Sequence, residues 1–392
     1  MPVPVAGRRL LLSLLSVFAA LAALKGLDHF VVVRAVEGSG LVFPRRSTVV
    51  YHAGEFDFTA STNGLGFRGG PFSIARRPGV ARVVAIGDSM TYGWGVDAGC
   101  TWPALLEDAL DDRGMHVEVA NLGEPGADPG TYAYIASSAI PALRPDLVIV
   151  GMHLGDDLEQ LDRPFASPRV PPPPRAEATL LARTIMRWFP NMVKVFSVTD
   201  VTSVWRAQAQ ALVRSLTPAQ RTKYDALDAD VRQMLEDGKL NPYLVQLSLG
   251  RPAHYVMNRD LRSARTAALV AQMAGHLGRV RDIAAAVGAT VAVVTVPAGI
   301  YVSRAARAGQ ARVGFLADDT LRDDNADEAV RLAAARAGVS FLSITDEFRR
   351  RDRPTLYFPL DGHLTCDGTR QLAGLLAPGV GSALARKPAP AS

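Results

Sequence analysis

Five short apolar runs, separated by turns and helical stretches, restrict the folds open to this chain more than any other feature. They are Arg82 to Gly87, Val117 to Asn121, Asp146 to Gly151, Ala289 to Val296 and Val339 to Ile344. Runs of this length, rich in Val, Ile and Ala, read as strands buried on both faces. Helical patterns stand between them. Trp102 to Arg113 places Leu105, Leu106, Ala109 and Leu110 on one face. Arg262 to Val287 repeats the pattern with Leu269, Met273, Leu277, Val280 and Ile283, and Gly288 ends it. Such alternation predicts a parallel sheet covered by helices on both sides. Ligands of such sheets bind beyond the carboxyl ends of the strands.

Chemistry-bearing residues fall at those ends. Ile86-Gly87-Asp88-Ser89-Met90-Thr91 leaves the first strand and puts Ser89 at a helix N-terminus. Free backbone N–H groups and the helix dipole favour developing negative charge there. A serine becomes a nucleophile only with a base, and the base needs a group to orient it. Far downstream, Phe358-Pro359-Leu360-Asp361-Gly362-His363-Leu364 offers both, in the chain order Ser…Asp…His.

With these blocks in order, the chain resembles the SGNH (GDSL-type) hydrolase family. The first block is Gly87-Asp88-Ser89 with Thr91-Tyr92-Gly93-Trp94-Gly95-Val96. The second is Asn121-Leu122-Gly123-Glu124-Pro125-Gly126, and the last is Asp361-Gly362-His363-Leu364 with Gly368 following. The third block, normally Gly-x-Asn-Asp, reads Leu154-Gly155-Asp156-Asp157. The likeness runs from Phe58 to Ala377 around a long insert. It implies a three-layer, flavodoxin-like α/β fold. It also implies Ser89 as nucleophile, His363 as general base and acid, and Asp361 as the group that fixes the histidine tautomer. The oxyanion hole would comprise the N–H groups of Ser89 and Gly126 and a donor at position 156. Asp88 reads as structural. His153, Asp157 and Trp94 are candidates to touch substrate or support the site. The resemblance implies no cofactor, and Asp156-Asp157 offers too few oxygens for a hard cation.

Two positions depart from the family. The usual Asp-x-x-His spacing is Asp-x-His here, which weakens the assignment of Asp361. More seriously, Asp156 replaces the amide donor, and an ionised carboxylate has no proton to give. Three readings stand: burial and Asp157 keep Asp156 protonated, His153 supplies the donor, or the enzyme is slow or inactive.

The rest of the chain frames this domain. Arg8-Arg9 precede an apolar run from Leu10 to Leu24, ended by Lys25. This has the form of an export segment, cleaved after Ala22 or, as we prefer, retained as a membrane anchor with the domain in the periplasm. The expected organisation is an anchor over 1–30 and a membrane-proximal lead-in over 31–80. The SGNH domain then occupies 81–157 and 261–380, around a mainly helical insert over 158–260, with a flexible tail at 381–392. In the lead-in, Gly66-Phe67-Arg68 suggests a structural role for Arg68. The insert opens on the stiff spacer Pro171-Pro172-Pro173-Pro174, with helical character over Ala178 to Phe189. A capping box at Thr217, Pro218 and Gln220 predicts a helix running to Asp237, with Gly238 as its stop.

Composition narrows the function. The 392 residues are 48% hydrophobic and carry a net charge of +5. The basic residues form no stripe interleaved with aromatics, so nucleic acid is not an expected partner. The two cysteines, Cys100 and Cys366, follow the first and last blocks. Export permits a disulfide, but unpaired thiols are the expectation. The resemblance implies ester hydrolysis through an acyl-enzyme, and with the expected location it suggests O-acyl (acetyl) groups of cell-envelope glycans as substrate. An O-acyltransferase using the same residues is the alternative, and an inactive, membrane-tethered glycan-binding or assembly protein is a third reading.

Overall fold

The computed structural model describes residues 5–28, 40–162, 184, 187–189, 199–318, 321 and 324–385. The proline spacer, most of the expected helix at 178–189 and the end of the tail lie outside the described residues.

The five apolar runs form one sheet. Its strands are β3 (Ala81–Gly87), β4 (Val117–Gly123), β5 (Leu147–His153), β7 (Thr290–Val296) and β8 (Ser340–Leu342), in the order β4-β3-β5-β7-β8. Every neighbouring pair is parallel. Val83 to Ile86 and Val148 to Val150 are fully buried, so helices cover the central strands on both faces. Burying each Val or Ile side chain among them contributes about 1.5–3 kcal/mol. Helices Pro129–Leu143, Ala264–Ala285 and Asn325–Ala337 pack together, and Trp102–Asp111 packs along Cys366–Ala385. The chain leaves β3 for β4 on one side, then returns for β5 on the other. That reversal makes the carboxyl end of β3 the switch point where such folds bind ligands.

A second, small sheet stands against this core. β1 (Thr48–His52) and β2 (Asp57–Ser61) form a hairpin, and β6 (Thr199–Asp200) from the insert adds in parallel to β1. The lead-in and the insert therefore share a sheet. Phe56, Phe58, Tyr92 and Trp205 bury together there, with Tyr51, Trp94 and Phe358 packed against them. Arg68 is buried between the rings of Phe58 and Tyr92 and donates to the carbonyl of Val96. This is the structural role expected of it.

Several expectations are corrected. The insert helix predicted from Pro218 to Asp237 is two helices, Pro218–Asp225 and Ala229–Glu236. The Thr217–Gln220 capping box is present. The chain turns at Leu227, whose N–H bonds to the carbonyl of Tyr224, and the break brings Tyr224, Leu227, Val231 and Leu235 into one buried cluster. The last strand is shorter than its apolar run, because the chain turns at Ser343 and Ile344 into helix Thr345–Arg350. Cys100 and Cys366 are not unpaired thiols; they form a disulfide with Cα atoms 5.1 Å apart. Their helices lie side by side, and Thr369 Oγ1 donates to the Cys100 carbonyl at 2.6 Å. By the chain-entropy account, a link across so long a loop stabilises the fold by about 5–6 kcal/mol. At the N-terminus, Val5–Gly26 is a 22-residue helix. Arg8, Arg9 and Lys25 sit inside it, and no helix among the described residues is long and apolar enough to cross a membrane.

Candidate active site

Ser89 opens a one-turn helix directly after β3. Asp88 caps that helix by accepting from the Met90 N–H at 2.9 Å. The second block begins at the end of β4, where Gly123 packs so closely on the nucleophile turn that a Cβ would lie 2.1 Å from Tyr92 N. The loop that follows carries Gly126 at φ +80°. Ser89, Gly126, Asp156 and His363 all line one cavity of about 300 Å³ at the switch point.

The last block closes the site. Ser89 Oγ lies 2.7 Å from His363 Nε2, and His363 Nδ1 lies 2.5 Å from Asp361 Oδ1. The serine hydroxyl donates to the imidazole, which donates to the carboxylate. The short Asp-x-His spacing is met by a tight loop. Phe358 N–H bonds to the His363 carbonyl at 2.9 Å, Gly362 N–H to the Phe358 carbonyl at 2.8 Å, and Gly362 adopts φ +86°. Glu55, in the β1–β2 turn, holds this loop from outside. Its carboxylate accepts from the Leu360 N–H at 2.9 Å and the Asp361 N–H at 2.7 Å. Burial pushes the Glu55 pKa up, while the two amides pull it back. From the other side, Gln310 Nε2 donates to the Leu360 carbonyl at 2.8 Å.

The third block contradicts the reading that kept Asp156 protonated. Burial opposes its charge, but the imidazoles of His153 and His254 outweigh burial and hold its pKa well below the usual carboxylate range. His254 Nε2 donates to Asp156 Oδ1 at 2.6 Å. The group that burial pushes well above that range is Asp157, with the neighbouring Asp88 charge adding to the effect. Asp157 does not line the cavity. It is buried behind it, accepting from Tyr132 Oη and the His153 N–H, both at 2.6 Å. His153 ends β5 with its side chain only 6% exposed. Its Nδ1 lies 3.2 Å from Asp88 Oδ2 and 3.6 Å from Asp156 Oδ2, ion-pair distances off the line of a hydrogen bond. Burial disfavours a charged His153, yet Asp88 and Asp156 prevail and raise its pKa well above the usual histidine range.

Trp94 lines the cavity 6.0 Å from the His363 ring, and it stacks at 6.3 Å on Trp205 of the insert. Sequence reasoning missed Glu55, Trp205, His254 and Gln310. None belongs to a motif, and only the folded chain brings them to the site. Among the described residues, no cluster of His, Cys, Asp and Glu is arranged to hold a metal ion.

Solved structures that this chain resembles are esterases and acylhydrolases. A catalytic mutant of an acetylxylan esterase from Geobacillus stearothermophilus is 12% identical, with 78% of this chain and 94% of that one covered and a TM-score of 0.37. TesA is 12% identical, with 77% and 99% covered and a TM-score of 0.36. A second acetyl xylan esterase is also 12% identical, with 76% and 99% covered and a TM-score of 0.36. No family model matches the chain, and no curated protein matches it. At these scores the chemistry must be read from this chain's own residues.

Proposed function

We infer that this chain is a serine esterase of the SGNH type, cleaving O-acyl esters through an acyl-enzyme. The observation that carries the reading is the unbroken chain of hydrogen bonds from Ser89 through His363 to Asp361 at the mouth of the cavity. His363 takes the Ser89 proton as Oγ attacks the ester carbonyl, then gives it to the leaving alcohol. The N–H groups of Ser89 and Gly126 face the oxyanion of the tetrahedral intermediate. Water, activated by the same histidine, then releases the acid.

O-acylated glycan is the substrate class we propose. The cavity wall combines Trp94 and Trp205 with Gln208 and Asn241, a mix of apolar rings and amides that suits a sugar carrying hydroxyls. Export is part of the same reading. The N-terminal helix presents Leu12, Leu15, Val17 and Phe18 to its surroundings, and the Cys100–Cys366 disulfide fits an oxidising compartment. A hold on the membrane surface through those exposed apolar side chains, without a crossing, would place the site beside envelope glycans. One feature favours acyl transfer as a second reading: the insert contributes Trp205, Leu244 and Leu247 to the cavity, which restricts water.

Incubation with an acetylated oligosaccharide, with and without an unacetylated sugar acceptor, tests the assignment. The hydrolase reading predicts free acetate at a rate the acceptor does not change. Acetyl groups appearing on the acceptor would establish transfer. Aryl acetate turnover with no action on any acetylated sugar would sink the glycan assignment.

A further inference from the structure

His254 belongs to no motif, yet it reaches Asp156, where a carboxylate replaces the amide of the family pattern. It begins the short helical turn His254–Arg259 at the end of the insert. Its ring is buried, 4% exposed, and set edge-on to Tyr255 at 4.9 Å. From there Nε2 donates to Asp156 Oδ1 at 2.6 Å. Asp156 lines the cavity with Ser89 and Gly126 and keeps 28% of its side chain exposed. Its other oxygen, Oδ2, faces His153 Nδ1 at 3.6 Å. The carboxylate at the third oxyanion-hole position thus has an imidazole beside each oxygen.

The physical problem is plain. Ester attack creates an oxyanion, and a bare carboxylate beside it repels that charge in a site from which water is partly excluded. Protonation does not remove the repulsion, because Asp156 is held ionised. A neutral asparagine would have no such conflict.

We propose that His254 is a positioning residue for ester cleavage: by binding Asp156 Oδ1 it holds the carboxylate within an imidazole clamp, so that the charge does not oppose the oxyanion formed on Ser89 attack. The insert is then part of the catalytic apparatus rather than an accessory to it. The proposal rests on the serine-esterase reading above.

The claim is specific enough for a double-mutant cycle. His254 should matter because residue 156 is charged, and should cease to matter when it is not. With an aryl acetate substrate, His254→Ala is expected to lower kcat by about 10- to 100-fold, with KM little changed. In the Asp156→Asn background the same His254→Ala change should cost less than about 3-fold, a non-additivity that marks direct coupling. A purely structural histidine would cost the same in both backgrounds, so equal losses overturn the proposal. So does an unaltered kcat in His254→Ala. Circular dichroism and melting of each variant establish that it is folded, and His254→Gln, which keeps a donor, should retain most of the wild-type rate. The Ser89→Ala control separates the two levels. Wild-type turnover that Ser89→Ala leaves intact overturns both the esterase reading and the clamp. Ser89-dependent turnover without coupling overturns the clamp alone.

Discussion

At the scale of single residues, the site is governed by which acidic groups keep their protons. Three aspartates lie within reach of His153, and their environments separate them. Asp156 faces two imidazoles and stays ionised; Asp157, sealed behind the cavity beside Asp88, is driven toward its neutral form. The sign of the linkage follows. His153 has a raised pKa, so its share of stability is complete below its unfolded value, about pH 6.5, and is lost as pH rises through the folded value. Asp156 has a depressed pKa, so its share is complete above about pH 4 and is lost as pH falls through the folded value. The pair is therefore worth most between about pH 4 and 6.5. Replacing His153 by Gln should destabilise the fold by about 3 kcal/mol near pH 6. The gap should narrow as the pH rises through the raised folded value, read by urea unfolding at each pH. A gap that does not change with pH would mean that the charge on His153 is not what stabilises. Ser89, Asp361 and His363 were legible as residues because each sits in a recognisable local pattern. The ionisation of Asp156 was not, since it depends on His254, almost a hundred positions away.

At the scale of elements, strand and helix periodicity carried most of the fold. The main-sheet strands appear where Val and Ile cluster, and the long helix Ala264–Ala285 starts at a Ser263 cap. The errors fell where local preference meets tertiary demand. The capping box correctly marked where Pro218–Asp225 begins, but nothing local announced the break at Leu227, which serves the insert's own core. The β1–β2 hairpin was the larger omission. It pairs with β6 across the whole first half of the domain, a contact that periodicity does not encode. Its turn delivers Glu55 to the loop holding Asp361. Removing that carboxylate should loosen the loop more than the fold. Glu55→Ala is expected to cut kcat by about 10- to 100-fold through misplacement of Asp361 and His363. Its Tm should stay within a few degrees of wild type, since the lost bonds lie at a loop. Unchanged kcat would mean that the tight Asp-x-His turn holds its own geometry.

For the molecule as a whole, one topological fact organises the rest. The chain reverses at β3, and the carboxyl ends of β3, β4 and β5 meet there, bringing Ser89, Gly126 and Asp156 to one cavity. The Asp361–His363 loop closes that cavity from the other end of the chain, just before the Cys100–Cys366 link ties its helix to the short helix Ala98–Cys100. A parallel sheet covered on both faces was predictable from alternation, and its flavodoxin-like arrangement followed from the family resemblance. The second lobe, built jointly by lead-in and insert, was not, because its sheet joins segments about 150 residues apart. The central claim concerns Ser89, and the most direct measurement is covalent trapping. A fluorophosphonate reacts irreversibly with a serine activated by its histidine. Peptide mass mapping of the treated full-length protein should find the adduct on Ser89, and His363→Ala should abolish it. A folded protein left unmodified at Ser89 would contradict the account.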